Sequence, residues 1–149
     1  MGFRIIYLAL MLLLYACEPL DFKGMVMTYT SVDERYEFAL DHHATHGMPR
    51  LVLENEDYLF YVHSDSHVGD TSNLSWLDHK AQDEGANGMF MVGDLTTGFE
   101  EDYLHLMDFL GQHPVPESFA VPGNHDLYFD GWQHYKAMLG PSFYTLEVV

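Results

Sequence analysis

The stretch VPGNHD at residues 121–126 places an amide, an imidazole and a carboxylate directly behind an apolar run and a glycine. One interpretation is a plain turn, because Gly, Asn and Asp tolerate unusual backbone angles and bond their own backbone. The other interpretation is a functional site that needs three polar groups side by side. The pattern of the surrounding chain distinguishes between the two.

Apolar runs and amphipathic stretches alternate around this hexapeptide. The strand candidates are YLFYVHS at 58–64, MFMV at 89–92, SFAV at 118–121 and FYTLEVV at 143–149. The helix candidates, each with apolar residues at helical spacing, are 72–84, 99–110 and 131–139. Gly85 and Gly111 follow two of these helices as stop signals. Strands that alternate with helices pair in parallel through crossovers, so we predict an α/β domain with 143–149 as its fourth strand.

Polar side chains follow each of the first three predicted strands. In chain order they are Asp65, His67, Asp94, Asn124, His125 and Asp126. Asp94 lies 29 residues after Asp65, and Asn124 lies 30 residues after Asp94. Each interval matches one strand-helix-strand unit, and parallel strands end at the same edge of a sheet. We therefore expect the three loops to lie together, where open α/β proteins bind ligands.

The residue types at these strand ends are those of a metal site. Carboxylate, imidazole and amide donors together suit ions such as Mn, Fe or Zn. Because side chains alternate across an extended segment, we expect Asp65 and His67 to face the same side and reach one ion. Asp94, on the central loop, is the natural bridge to a second ion, which the amide oxygen of Asn124 can bind.

The motifs DSH (65–67), GD (93–94) and GNHD (123–126), in this order and spacing, resemble the calcineurin-like metallophosphoesterase superfamily over residues 58–149. The resemblance implies strand-helix-strand units that form part of a four-layer α/β sandwich. It also implies a hydrolase that cleaves phosphomonoesters or phosphodiesters with two divalent or trivalent metal ions of the Mn, Fe or Zn class.

The same resemblance assigns a role to each strand-end residue. The metal ligands that it implies, with Asp94 as the bridge, are Asp65, His67, Asp94 and Asn124. His125 is implied to contact the phosphate and assist the leaving group, and Asp126 to orient the ring of His125. The substrate is then a phosphorylated small molecule or a phosphodiester.

Two features depart from that family. The loop after the second strand reads GDLTTG, with Thr96 and Thr97 where the family often carries a further Asp. No histidine follows His134, although the family takes more ligands from its C-terminal half. We therefore expect a C-terminally truncated sequence that holds its second metal poorly. A catalytically inactive, surface-anchored binding protein on the same scaffold, or a purely structural domain, remains the alternative.

The first residues have the pattern of an export signal. Arg4 precedes the apolar run IIYLALMLLL at 5–14, and LYAC ends at Cys17. Ten apolar residues are too few to span a bilayer comfortably. The pattern resembles a bacterial lipoprotein signal peptide over residues 1–16, with Cys17 as the lipidation site. It predicts an exported protein, lipid-anchored to a membrane of the bacterial cell envelope.

Residues 17–57 are predicted to form a tether and an amphipathic helix. Ser31 and Glu34 have capping-box spacing, and Gly47 is a stop signal. Three histidines near the end of this helix have a spacing that could bind metal: His42, His43 and His46. No carboxylate motif accompanies them, so a solvated helix face is the favoured interpretation.

Composition limits the partners of this chain. Its 149 residues are 48% hydrophobic, which supports one globular domain besides the signal. With 6 Lys and Arg against 23 Asp and Glu, the formal net charge is −17. Stable nucleic-acid binding is therefore not expected, because it depends on a basic surface.

Overall fold

The computed structural model describes residues 22–53, 56–68, 71–112 and 117–149. The predicted signal peptide over 1–16 and its Cys17 lie outside the described residues. Within the described ranges, no helix is both long and apolar enough to cross a membrane.

Strands and helices alternate along most of the described chain. In order, the elements are α1 (Val32–His46), β1 (Arg50–Leu51), β2 (Phe60–His63), α2 (Ser72–Asp83), β3 (Gly88–Val92), α3 (Glu100–Gln112), β4 (Ser118–Val121), a 3-10 turn (His125–Leu127), α4 (Gly131–Met138) and β5 (Glu147–Val148). This order confirms the predicted α/β class.

The central sheet consists of β2, β3 and β4, in that order, with both pairs parallel. The helices α2 and α3 form the two crossovers. In the register of the sheet, Met91 on β3 lies opposite His63 on β2 and Ala120 on β4. All three strands therefore end at the same edge, which brings the loops that follow them together, as the sequence predicts.

One core cluster joins the sheet, both crossover helices and the strand-end loops. Its buried members are Val68, Leu74, Met91, Leu95, Leu106, Phe109 and Ala120. Val68 and Leu95 belong to the loops after β2 and β3, and they are 1% and 0% exposed. Because these loop residues are part of the packed core, the core itself determines where the loops lie.

The N-terminal helix α1 packs on the rest of the domain. The predicted capping box is present: the Glu34 N–H donates to Ser31 Oγ, and the Ser31 N–H donates to the Glu34 carboxylate. The helix ends at Gly47, whose φ of 81° suits glycine. Phe38 contacts Trp132 on α4 edge to face, with 5.4 Å between ring centroids.

Two predictions about elements are wrong. The run 143–149 does not extend the central sheet, because only its β5 segment is a strand, and that strand pairs in parallel with β1. Tyr144 instead reaches β4 through its side chain, donating its hydroxyl to Ala120 O at 3.0 Å. Gly111 does not end α3, which continues to Gln112, since one glycine costs a helix only about 1 kcal/mol.

Candidate metal centre

The three strand-end loops are joined through the middle one. The Asp65 N–H donates to Gly93 O, and the His67 N–H donates to Asp94 O, both at 3.1 Å. From the other side, the His125 N–H donates to Asp94 Oδ1 at 2.9 Å. Asp94 is therefore held through its backbone by the loop after β2 and through its side chain by the loop after β4.

Three of the predicted metal ligands have left-handed backbone. The φ angles of Asp65, His67 and Asp94 are 56°, 39° and 52°, and Phe129 is the one other non-glycine residue with a positive φ in the part of the chain that the structure describes. Such backbone is costly for L-residues and is concentrated at functional sites. It also makes one expectation wrong: the segment from Asp65 to His67 is not extended, so strand alternation does not set the direction of its side chains.

The side chains of His67, Asp94 and His125 converge at the edge of the sheet. One donor atom of each lies within 4.8 Å of the other two. The two imidazole rings meet edge to face, with 4.5 Å between their centroids. All three residues are partly buried. Two imidazole nitrogens and a carboxylate oxygen are ligands that suit Zn, Mn or Fe, so these residues fit a bound metal ion.

The remaining predicted ligands, Asp65 and Asn124, are both exposed beside this group. Asp65 is not a member of the converging trio, and it lines a cavity of about 200 Å³ together with His63 and Asn73. Asn124 donates from Nδ2 to the Tyr128 hydroxyl at 2.8 Å, so the amide oxygen, which is the atom that binds cations, is not the one used in this bond. Their binding to metal stays a prediction.

Asp126 is turned into the protein and joins two loops. Its side chain is fully buried: Oδ1 accepts from the Thr96 N–H at 2.7 Å and from Thr96 Oγ1 at 3.0 Å. Oδ2 accepts from the Gly123 N–H at 2.9 Å. These bonds hold the loop after β4 on the loop after β3. The described hydrogen bonds of this carboxylate thus go to Thr96 and Gly123, not to the ring of His125 that it was predicted to orient.

Thr96 is the residue at the site that sequence reasoning missed. In the sequence it stands in a loop that departs from the family pattern, yet it is fully buried and makes both bonds to Oδ1 of Asp126. Its Oγ1 also accepts from the Gly98 N–H at 3.2 Å. The only sign in the sequence was a threonine between two glycines, Gly93 and Gly98. Its hydrogen-bond partner could not be identified from the sequence, because Asp126 lies 30 residues away.

Close approach of the loops explains the glycine in each of two motifs. A Cβ atom on Gly123 would lie 2.2 Å from Asp94 Oδ1, and a Cβ atom on Gly93 would lie 2.9 Å from Gly123 Cα. Neither position has room for a side chain. Glycine is therefore required at both positions, where the two loops touch.

Burial also affects two ionisable groups near the site. Burial lowers the pKa of His63, at the end of β2, and so favours the neutral imidazole. Burial raises the pKa of Tyr103 well above its usual range. The Tyr103 hydroxyl therefore keeps its proton, which it donates to the backbone oxygen of Asp126 at 2.5 Å.

Comparison with known proteins agrees with this geometry. No curated protein and no solved structure matches the chain significantly. The profile of one family, described as calcineurin-like phosphoesterase, matches residues 58–147. The match includes all three strand-end loops and more than half of the 149 residues. The chain therefore belongs to the calcineurin-like phosphoesterase family.

Proposed function

We propose that this protein hydrolyses phosphate esters, either monoesters or diesters, with a pair of metal ions at the edge of the central sheet. The observation that carries the proposal is the convergence of His67, Asp94 and His125 at the edge of the sheet, with left-handed backbone at His67 and Asp94. Membership in the calcineurin-like phosphoesterase family supports the reaction class. We further propose that the described elements form part of a four-layer α/β sandwich.

In this proposal each side chain has a distinct task. The residues that would hold the ions are Asp65, His67, Asp94 and Asn124, with Asp94 between the two. Bound ions would supply positive charge for the phosphoryl oxygens and a more acidic water. His125 would give a proton to the departing oxygen. The hydrogen bond from its backbone N–H to Asp94 Oδ1 holds it beside the site. Such an acid contributes about 10²- to 10⁴-fold in rate.

The acidic surface limits the choice of substrate. The net charge of −17 repels polyanions, so a phosphorylated small molecule or a short phosphodiester fits better than a nucleic acid. Metal ions within the site would offset this repulsion locally.

The direct test measures metal content and the hydrolysis of an aryl phosphate and a bis-aryl phosphate by the full chain with Mn²⁺, Zn²⁺ or Fe²⁺. We expect metal-dependent turnover that Asp94→Asn abolishes and that Asp83→Asn, an exposed carboxylate at the end of α2, leaves unchanged. Equal turnover in Asp94→Asn and the parent chain would overturn the proposal. Bound ions without any turnover would indicate an inactive binding protein on the same scaffold.

A second test separates the proton donor from the metal ligands. His125→Asn is expected to keep the metal content while turnover falls by about 10²-fold or more. Loss of metal in this variant would instead make His125 a ligand, a role that its distance from His67 and Asp94 also permits.

We also propose that the protein is exported and anchored by a lipid on Cys17, on the basis of the sequence of residues 1–17 alone. Cys17→Ser is expected to release the protein from the membrane fraction of the cell. Continued membrane association of that variant would refute the anchor.

A further inference from the structure

A second group of histidines lies away from the metal centre, near the C-terminal end of α1. They border a cavity of about 310 Å³ that Phe119, Ala120 and Tyr144 also line. The three histidines are His42, His43 and His46. A solvated helix face was the favoured interpretation of this segment, but His42 and His43 are partly buried. The Nδ1 atoms of both lie buried without a hydrogen-bond partner.

His42 and His46 stand one helical turn apart on the same face. Their rings stack with 4.4 Å between centroids and 28° between planes. Histidines four residues apart on a helix have the spacing with which two side chains bind one zinc ion. The exposed position of His46 leaves the pair open to ions from solvent.

The hydrogen bonding of His46 prepares it to act as a ligand. Its Nδ1 lies 3.1 Å from the backbone oxygen of His42, which can only accept. Nδ1 therefore carries the proton, and the lone pair stands on Nε2. A backbone carbonyl that fixes the tautomer in this way is the usual support of a metal-binding histidine.

His42 also has the properties of a ligand. Its ring is partly buried, stacks on the ring of His46 and borders the same cavity. A neutral imidazole offers a lone pair, whereas a protonated ring offers none. The unpartnered Nδ1 is the buried polar atom that a ligand at this cavity would satisfy.

His43 differs from this pair and provides the matched control. Its Nε2 lies 2.9 Å from Phe143 O, so the ring is tied to the segment after α4. Its plane is perpendicular to that of His42. In the described part of the chain, only His67, Asp94 and His125 form a group of three close donors. Of the three α1 histidines, His42 and His46 are the two that can bind a common ion, and water would complete its coordination.

We propose that His42 and His46 form a second site for one divalent transition-metal ion, separate from the catalytic centre. Imidazole ligands suit Zn²⁺, Ni²⁺ and Cu²⁺, and the expected order of affinity places Cu²⁺ above Ni²⁺ and Zn²⁺. The site does not depend on phosphate-ester hydrolysis, so it stands whether or not the proposed function holds.

The test titrates metal ions alone into the full chain whose main centre is disabled by His67→Gln and Asp94→Asn. Calorimetry is expected to detect one bound Cu²⁺ or Zn²⁺ per chain. His42→Gln and His46→Gln should each weaken this binding by about tenfold or more. His43→Gln and the exposed His105→Gln should leave it unchanged. Circular dichroism of each variant checks that α1 is still folded.

Two results would overturn the site. Absence of stoichiometric metal binding in the disabled parent would show that His42 and His46 do not form a metal site. Equal affinity in His46→Gln and the parent would place the ion elsewhere. Because the His46 side chain is exposed, that variant is expected to fold normally.

Discussion

Gly123 shows how a single missing side chain shapes the metal centre. The loop after β4 lies so close to Asp94 that any Cβ atom there would meet the Asp94 carboxylate. The same contact puts the backbone of His125 within hydrogen-bond reach of Asp94. One glycine thus allows His125 and Asp94, from different loops, to lie side by side.

Gly123→Ala is expected to separate the two loops, with loss of metal binding and turnover, because its Cβ atom would lie 2.2 Å from Asp94 Oδ1. Gly111→Ala is the matched control. A Cβ atom there meets nothing within 4 Å, and the change should stabilise α3 by about 0.5–1 kcal/mol. Metal calorimetry and urea denaturation measure both effects. Full metal affinity in Gly123→Ala would contradict the tight contact.

Asp126→Asn is expected to destabilise the protein by about 1–3 kcal/mol, because its NH₂ group would face the backbone N–H of either Thr96 or Gly123, which would lose its acceptor. Asp108→Asn, an exposed carboxylate on α3 bonded to Gln112, should change stability by less than about 0.5 kcal/mol. Urea denaturation compares the two. If both variants are equally stable, the Asp126 side chain does not join the loops.

Two buried tyrosines and one partly buried tyrosine keep the protons of their hydroxyls. Burial raises the pKa values of Tyr103 on α3 and Tyr135 on α4 beyond the usual range, and that of Tyr144 to about 12. The ordinary value is 10.0. Tyr103 and Tyr135 belong to one buried cluster with Trp132, whereas Tyr144 donates its hydroxyl to Ala120 O on β4.

The raised pKa values of these three tyrosines predict a loss of folding stability in alkali. Because the folded pKa values exceed the unfolded ones, the contribution is complete below about pH 10 and is lost as the pH rises toward the folded values. Urea denaturation across this range should show the decline, and Tyr144→Phe should reduce its slope. Tyrosinate absorbance provides the check: titration of all ten tyrosines near their ordinary pKa in the folded protein would contradict it.

Elements with a strong local pattern were predictable from the sequence, and elements that depend on distant partners were not. The apolar runs identified β3 and β4 almost to the residue, and Ser31 with Glu34 identified the start of α1. The two-residue strand β1 has no pattern of its own, because it exists only by pairing with β5. Its partner was assigned to the wrong sheet for the same reason.

In the candidate metal centre, too, features set by local sequence were predictable and features set by distant contacts were not. Strand-end position was sufficient to bring Asp65, Asp94 and His125 to one edge. The left-handed backbone at Asp65 and Asp94 was not predictable, because it arises where neighbouring loops bond each other's backbone. The bonds between Thr96 and Asp126 were missed because they cross two loops and a whole helix.

At the scale of the whole molecule, the excess of acidic groups determines how strongly bound cations would stabilise the folded state. The acidic groups behind the net charge of −17 repel one another in the folded state, and ions bound at the sheet edge would reduce this repulsion. A ligand at about 100 times its dissociation constant stabilises the folded state by about 2.7 kcal/mol. We therefore expect metal binding and folding to be coupled in this protein.

Removal of metal by a chelator is accordingly expected to lower the melting temperature by several degrees. Asp94→Asn should show a clearly smaller decrease, because it has already lost the shared ligand, whereas Asp83→Asn should behave like the parent chain. Differential scanning calorimetry with and without chelator measures the shift. An equal decrease in Asp94→Asn and the parent would locate the stabilising ions away from the sheet edge.

Anomalous X-ray diffraction from crystals soaked in Mn²⁺ or Zn²⁺ would locate the metal ions on this protein. We expect a strong anomalous peak between the strand-end loops, in contact with His67 and Asp94, and a weaker second peak about 3.5–4 Å from it beside Asp94, because the sequence predicts a poorly held second ion. Peaks that avoid both Asp94 and His67, or no peak at the edge of the sheet, would contradict this expectation.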